Sequence, residues 1–209
     1  MNVVLYGASG MVGSRLLKEL VSRGHQVTAV VRNPSKVPAS PGVKVVQGDA
    51  LDAKDVAAKV AGADAVISSY APPADKSETL VDAIRALIAG TKEAGVKRLL
   101  VVGGAGSLLV APGVDVIASG HLPAEYMEIA IAHRNALGVL KSADLDWTYF
   151  SPPAFIQPGE RTGKFRLGGD SLIADEKGNS SISAEDYAIA LVDELEQPKH
   201  TRQRFTAGY

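Results

Sequence analysis

The stretch Asn2-Val3-Val4-Leu5-Tyr6-Gly7-Ala8-Ser9-Gly10-Met11-Val12-Gly13 passes from a β-branched, apolar run straight into a turn with a glycine at every third position. A turn of this kind, set directly after a strand and opening a helix, is built to hold an anion. Gly7 and Gly10 permit backbone angles and close approach that a Cβ would block, and Gly13 lets the helix lie tightly on the strand. The free N–H groups and the positive end of the helix dipole can then hold a pyrophosphate. A glycine-rich hit alone would be no more than a linker, so the surrounding pattern has to decide the reading.

Outward from that turn, short β-branched runs alternate with longer segments of helical period. The strands expected are Asn2 to Tyr6, Gln26 to Val31, Val43 to Gln47, Ala65 to Ser69, Arg98 to Val102 and Trp147 to Phe150. Between them lie helical segments at Met11 to Arg23, Ala53 to Val60, Ser77 to Ala94 and Ala124 to Ser142. Gly24, Gly62 and Gly95 follow three of these, where a left-handed residue closes a helix. Several strands are apolar on both faces, as they are when helices cover both sides of a sheet. The expected fold is α/β, a doubly wound parallel sheet of the dinucleotide-binding Rossmann type. It forms one domain over residues 1–209, with residues 151–209 as a small C-terminal extension over the substrate side. Ser183, followed by Glu185 and Asp186, marks the start of a last helix.

Composition narrows the function classes. With 22 basic against 23 acidic residues, formal net charge −1, there is no basic field to attract nucleic acid or an anionic membrane. The absence of cysteine excludes disulfide scaffolds, thiolate metal sites and cysteine nucleophiles. The N-terminus has no basic n-region before its apolar run, and the longest apolar stretch, Leu99 to Pro112, is broken by Gly103, Gly104 and Gly106. A cytoplasmic protein is expected. No histidine has a companion at metal-ligand spacing, and no G-x-S-x-G elbow occurs, so neither a metal site nor serine hydrolase chemistry is expected.

Charge at the end of the second strand selects the dinucleotide. An NAD site usually carries an acid there, roughly 20 residues past the loop, to hold the ribose 2′-hydroxyl. This chain has Val31-Arg32-Asn33-Pro34-Ser35-Lys36 instead. Arg32 and Lys36 suit a 2′-phosphate, so NADP, as NADPH in preference to NADH, is the expected cofactor.

The spacing G-x-x-G-x-x-G at Gly7 to Gly13 resembles that of the extended and atypical short-chain dehydrogenase/reductases. Three further segments extend the likeness over the whole chain: Val101-Val102-Gly103-Gly104-Ala105-Gly106-Ser107, Leu145 to Pro153, and Ile182-Ser183-Ala184-Glu185-Asp186-Tyr187-Ala188. Together they resemble the NADH-flavin reductase, biliverdin reductase B-like group of that superfamily. The resemblance implies adenine contacts at Asp49, Ala50 and Leu51, with a plain turn or cap as the other reading of Asp49. It also implies a ligand crevice at the strand ends, lined by Ser68, Ser69 and Tyr70, by Gly103, Gly104, Ala105 and Ser107, and by Pro153, Ala154 and Phe155. Backbone at Pro153 to Phe155 would meet the nicotinamide carboxamide. FMN or a similar flat acceptor would be the substrate.

The Tyr-x-x-x-Lys pair with which many members of the superfamily protonate an alkoxide is absent: no tyrosine has a lysine four residues on. Tyr126 and His133 are the remaining candidates to reach an acceptor. The group's Thr-Ser pair is replaced here by Gly103 and Gly104, and one of its two active-site histidines by Ala154, while the other matches His133. Hydride transfer to a flavin needs a protein acid less than carbonyl reduction does. The competing expectation is a non-catalytic NADP-sensing regulator similar to the NmrA-like proteins. The helices Ser77 to Ala94 and Ala124 to Ser142 could also pair two subunits.

Overall fold

The structure is a computed structural model and describes residues 1–73 and 75–209. Five parallel strands come first: β1 (Asn2–Tyr6), β2 (Gln26–Val31), β3 (Val43–Gln47), β4 (Ala65–Ser68) and β5 (Arg98–Val102). They are connected by α1 (Met11–Ser22), α2 (Ala53–Val60) and α3 (Thr79–Glu93). A short hairpin of β6 (Leu109–Ala111) and β7 (Val114–Asp115) precedes α4 (Met127–Lys141) and β8 (Asp146–Ser151). The rest of the chain forms β9 (Phe155–Gln157), β10 (Arg166–Gly168), β11 (Ser181–Ser183), α5 (Ala184–Glu196) and β12 (Gln203–Gly208).

The central sheet has eight strands in the order β10-β12-β8-β5-β4-β1-β2-β3, parallel throughout except for the β10–β12 edge pair. Strand order reverses beside β1, with β2 on one side and β4 on the other. In sheets of this type the crevice at the carboxyl ends of the strands at that reversal takes the ligand. All six expected strands are present, and Gly24, Gly62 and Gly95 have φ of 81°, 77° and 73°. At the end of α1 the N–H of His25 reaches the Leu20 carbonyl and that of Gly24 the Val21 carbonyl, a double closure that needs the left-handed glycine.

Alternation along β1 feeds two cores. Val3 and Leu5 face α1 and α5, where Leu16, Leu20, Tyr187 and Leu191 meet them. Val4 and Tyr6 face α2, α3 and α4, among Val56, Leu87, Leu140 and Trp147. On the first side Tyr187, Phe150 and Phe205 stack with ring centroids 4.0 and 4.1 Å apart. That stack joins α5, β8 and β12, so residues 151–209 do more than cover the substrate side. Their β12 extends the sheet beyond β8, and their α5 packs beside α1.

Candidate active site

The turn after β1 uses its three glycines for different purposes. Gly7 has φ of 79°, and a Cβ there would collide with the Ser69 backbone carbonyl. Gly13 is at the first turn of α1, where a Cβ would collide with the Gly7 carbonyl. Gly10 meets neither limit: its nearest neighbour on the Cβ side is the Gly7 carbonyl oxygen at 3.4 Å. It is the residue that caps α1, it supplies no side-chain acceptor, and the first turn holds no acid. Ser9, Gly10 and Met11 are exposed, whereas the Ala8 methyl and Gly13 are buried. Backbone N–H groups at a helix start with no acceptor of the chain's own, in a cradle that glycine keeps shallow, fit a pyrophosphate. No metal ligand set accompanies them: the described residues contain no group of three or more His, Asp or Glu side chains placed to hold an ion.

Beside the turn, one cleft is lined by Tyr6, Gly7, Ser9, Arg32, Asp49, Ala50 and Tyr70. The cleft joins residues from β1, from the ends of β2 and β3, and from the end of β4. Asp49 is a turn residue: its Oδ1 accepts from the Leu51 N–H at 2.9 Å, and its own N–H donates to Asp55 Oδ2 at 2.8 Å. Asp52 performs the capping of α2, accepting from the N–H groups of Lys54 and Asp55. Arg32 and Lys36 are both exposed, and among the described residues neither is in an ion pair. Arg32 is in the cleft wall; Lys36 ends the Pro34–Lys36 turn outside that wall. Ser68 is buried, and the Ser69 N–H donates to the Tyr6 carbonyl at 2.9 Å, so β4 and the glycine turn hold one another.

Beyond the end of β5 the packing is organised by Tyr149 and His133. The Tyr149 hydroxyl accepts from the Gly104 N–H at 3.1 Å, donates to the His133 carbonyl at 3.0 Å, and lies 3.3 Å from His133 Nδ1. These two side chains explain the glycine pair. A Cβ on Gly103 would come 2.3 Å from Tyr149 Cε1, and one on Gly104 would come 2.7 Å from His133 Cγ. Gly103 and Gly104 therefore leave room for their neighbours, which is a packing role. Burial lowers His133 to about 4, so the imidazole is neutral at physiological pH, and burial raises the Tyr149 phenol so that it keeps its proton.

Other expected residues are positioned differently from the sequence reading. Tyr126 is not on α4 but on the Ala124–Tyr126 turn before it, 56% exposed. The N–H groups of Ala154 and Phe155 are taken by Ser180, through its Oγ at 3.0 Å and its carbonyl at 2.9 Å. They are thus unavailable to a carboxamide in this conformation, although the Phe155 ring stands 70% exposed. The residue that sequence reasoning missed on this side is Arg204. From β12 its guanidinium donates to the Ser107 carbonyl and Oγ, both at 2.9 Å, and pairs with Asp170, tying the loop after β5 to the tail. Nothing in the local sequence marks it, because its partners lie 34 and 97 residues away.

Comparison with known proteins gives the family and the fold. The family model described as NAD(P)H-binding matches residues 7–198. A solved structure from Burkholderia pseudomallei named "Putative exported protein" is 50% identical, with each chain covered in full and a TM-score of 0.91. One from Bacteroides thetaiotaomicron, named a "putative epimerase", is 46% identical over all of this chain and 96% of that one, TM-score 0.94. A third, from Streptococcus pneumoniae, is named a "putative NADH-flavin reductase"; it is 32% identical over all of this chain and 99% of that one, TM-score 0.89. Among the described residues no helix is long and apolar enough to cross a membrane.

Proposed function

The chain belongs to the NAD(P)H-binding family, and from that premise we propose that it is an NADPH-dependent oxidoreductase that passes hydride to a flavin such as FMN, or to another flat conjugated acceptor. The observation that carries the cofactor half is the start of α1, which has neither a side-chain cap nor an acid and opens beside the cleft that Arg32 lines. The N–H groups there hold the pyrophosphate, and Arg32 meets the 2′-phosphate. Asp49 and Ala50 line the adenine, with Leu51 exposed beside them. The nicotinamide lies toward Ser68, Ser69, Ala105 and Pro153 at the strand ends.

The acceptor half rests on exposed side chains of the segments around β5, α4 and β8. Val110, Tyr126 and Phe155 are exposed apolar side chains on the segments that follow β5, precede α4 and follow β8. Burial keeps His133 neutral, and no lysine stands four residues after Tyr126. Such a site grips a planar ring by its faces and offers little acid catalysis, which suits an acceptor whose own ring nitrogens delocalise the charge. The bound dinucleotide supplies the hydride; the chain positions the two rings and keeps water from between them. A protein of the streptococcal neighbour's name supports the flavin reading at 32% identity. On this reading the protein works in the cytoplasm on a small-molecule acceptor, with no nucleic acid or membrane as partner.

The test follows NADPH oxidation by its near-ultraviolet absorbance with FMN as acceptor, against an enzyme-free control. Saturable, enzyme-dependent turnover is expected. Stoichiometric NADPH binding without turnover on FMN or quinone acceptors would replace the reductase with the NADP-sensing regulator.

A further inference from the structure

The bend between α5 and β12 holds a histidine by one ring nitrogen and leaves the other open. His200 Nδ1 lies 2.8 Å from Oε2 of Glu194, whose side chain is 3% exposed. Glu194 also accepts from the N–H groups of Lys199 and His200 and from the Arg98 guanidinium, contacts that close the bend without the imidazole. Burial pushes Glu194 up, but hydrogen bonds from His200 and Lys199 more than reverse this and hold it below the ordinary carboxylate range. The carboxylate is an acceptor only, so Nδ1 carries the ring proton, and in the neutral ring Nε2 is a bare acceptor. Among the described residues Nε2 has no partner, and it is not sealed from solvent. Stacking on Phe205, with centroids 4.4 Å apart, fixes the plane of the ring. His200 is a wall of a cavity of about 260 Å³ between α5 and the β10–β12 edge, and Phe165, Leu167, Ala190 and Phe205 supply its apolar surface. Leu167 is exposed, so that surface is open to water.

We infer that this cavity is a second ligand site and that it takes a small phenol, one aromatic ring whose hydroxyl donates to His200 Nε2. A bare ring nitrogen calls for a donor, which a hydrocarbon lacks. With Asp193, Glu194 and Lys199 as its charged groups, the lining offers an anion no pair of cations. Aromatic and aliphatic walls suit a flat apolar body, and a volume just below that of drug-sized sites admits a single ring and excludes a dinucleotide. The site is separate from the cofactor crevice. His200 precedes the amino end of β12, which runs parallel to β8, and its carbonyl accepts from Thr148 of β8 at 2.8 Å. The glycine turn and Arg32 stand at the carboxyl ends of β1 and β2. The inference therefore stands independently of the cofactor reading.

NMR titration of the whole protein, isotope-labelled at the histidine nitrogens, with p-cresol and with toluene tests this. Wild type is expected to bind p-cresol saturably with a Kd of about 1 mM or tighter, and the Nε2 resonance of His200 should move as it gains a hydrogen bond. Toluene, the same ring without the donor, is expected to bind about fivefold more weakly, the worth of one hydrogen bond, and to leave Nε2 in place. His200→Phe keeps a ring on Phe205 and removes the acceptor, so it should bring the two ligands within about twofold of each other. Leu167→Trp fills the cavity from its exposed edge and should abolish the binding of both, with NADPH affinity unchanged. No saturable p-cresol binding, equal affinity of wild type for toluene, or a stationary Nε2 resonance overturns the inference. These three readings use wild type alone, so they decide even where a variant fails to fold. An unchanged preference for p-cresol in folded His200→Phe, or binding that survives in Leu167→Trp, overturns it as well.

Discussion

Two helix starts on the same face of the sheet are equipped in opposite ways. α5 begins with Ser183, whose Oγ accepts from the Asp186 N–H at 3.0 Å, and its first turn contains Glu185 and Asp186. Asp186 is completely buried, accepting from the N–H groups of Thr162 and Gly163 and from the Tyr209 hydroxyl, each at 2.8 Å. Glu185 takes Arg15 of α1 and the Gly159 N–H. α1, packed beside it, starts with a glycine, has no cap and has no acid. The chain satisfies the positive end of one helix with its own carboxylates and withholds them from the other. Propensity cannot explain the contrast, since caps and first-turn acids would stabilise both helices. The open end is the one beside the glycine cradle and Arg32.

The largest effect should come from breaking the satisfied end. Asp186→Ala strips several buried donors of their acceptor, and urea unfolding should show a loss of about 4 kcal/mol with NADPH affinity of the folded protein unchanged. Burial pushes Asp186 up, but hydrogen bonds from Thr162, Gly163 and Tyr209 more than reverse this and hold it below the ordinary carboxylate range. Its contribution is therefore complete above about pH 4 and lost as the pH falls through its folded value, a slope that Asp186→Asn should lack. Gly13→Ala attacks the open end: a Cβ driven into the Gly7 carbonyl should cost about 3 kcal/mol of stability and weaken NADPH on the order of 100-fold in the same titration. Arg32→Ala should leave stability alone and weaken NADPH about ten- to 150-fold, the worth of one charge-assisted contact of about 1.5 to 3 kcal/mol. NADH should be unaffected, and equal weakening of both would remove Arg32 from the 2′-phosphate. The smallest and sharpest change is Gly10→Asp, which gives α1 what α5 already has. Thermal melts should show a gain of about 1 kcal/mol without ligand, while the added charge repels the pyrophosphate and weakens NADPH. A variant that gains stability and keeps its affinity would mean the open end serves no anion.

Where the sequence was readable, the reasons are local. The glycine turn, the six expected strands and the left-handed positions at Gly24, Gly62 and Gly95 are each set by neighbours within a few residues. The strand β12 is not legible locally because Gln203, Arg204 and Thr206 interrupt its apolar residues, and only pairing with β8, some 55 residues earlier in the register Gln203 to Thr148, makes it a strand. The same holds at the site. Asp49 and Arg32 could be chosen by spacing from the turn, but the Tyr149–His133 contact joins a strand to a helix, and the Ala154–Ser180 bond joins two loops.

The space shared by Gly103, Gly104, His133 and Tyr149 constrains how this sequence can drift. A Cβ at 103 would press on the Tyr149 ring and one at 104 on the His133 imidazole, so filling either position requires the ring beside it to shift or shrink. A lineage that fills 103 or 104 must move or shrink the ring at 149 or 133, and that change loosens the bond from the Gly104 N–H to the Tyr149 hydroxyl. The four positions are therefore coupled, and relatives that carry a larger residue on the strand end should have a smaller or displaced one behind it.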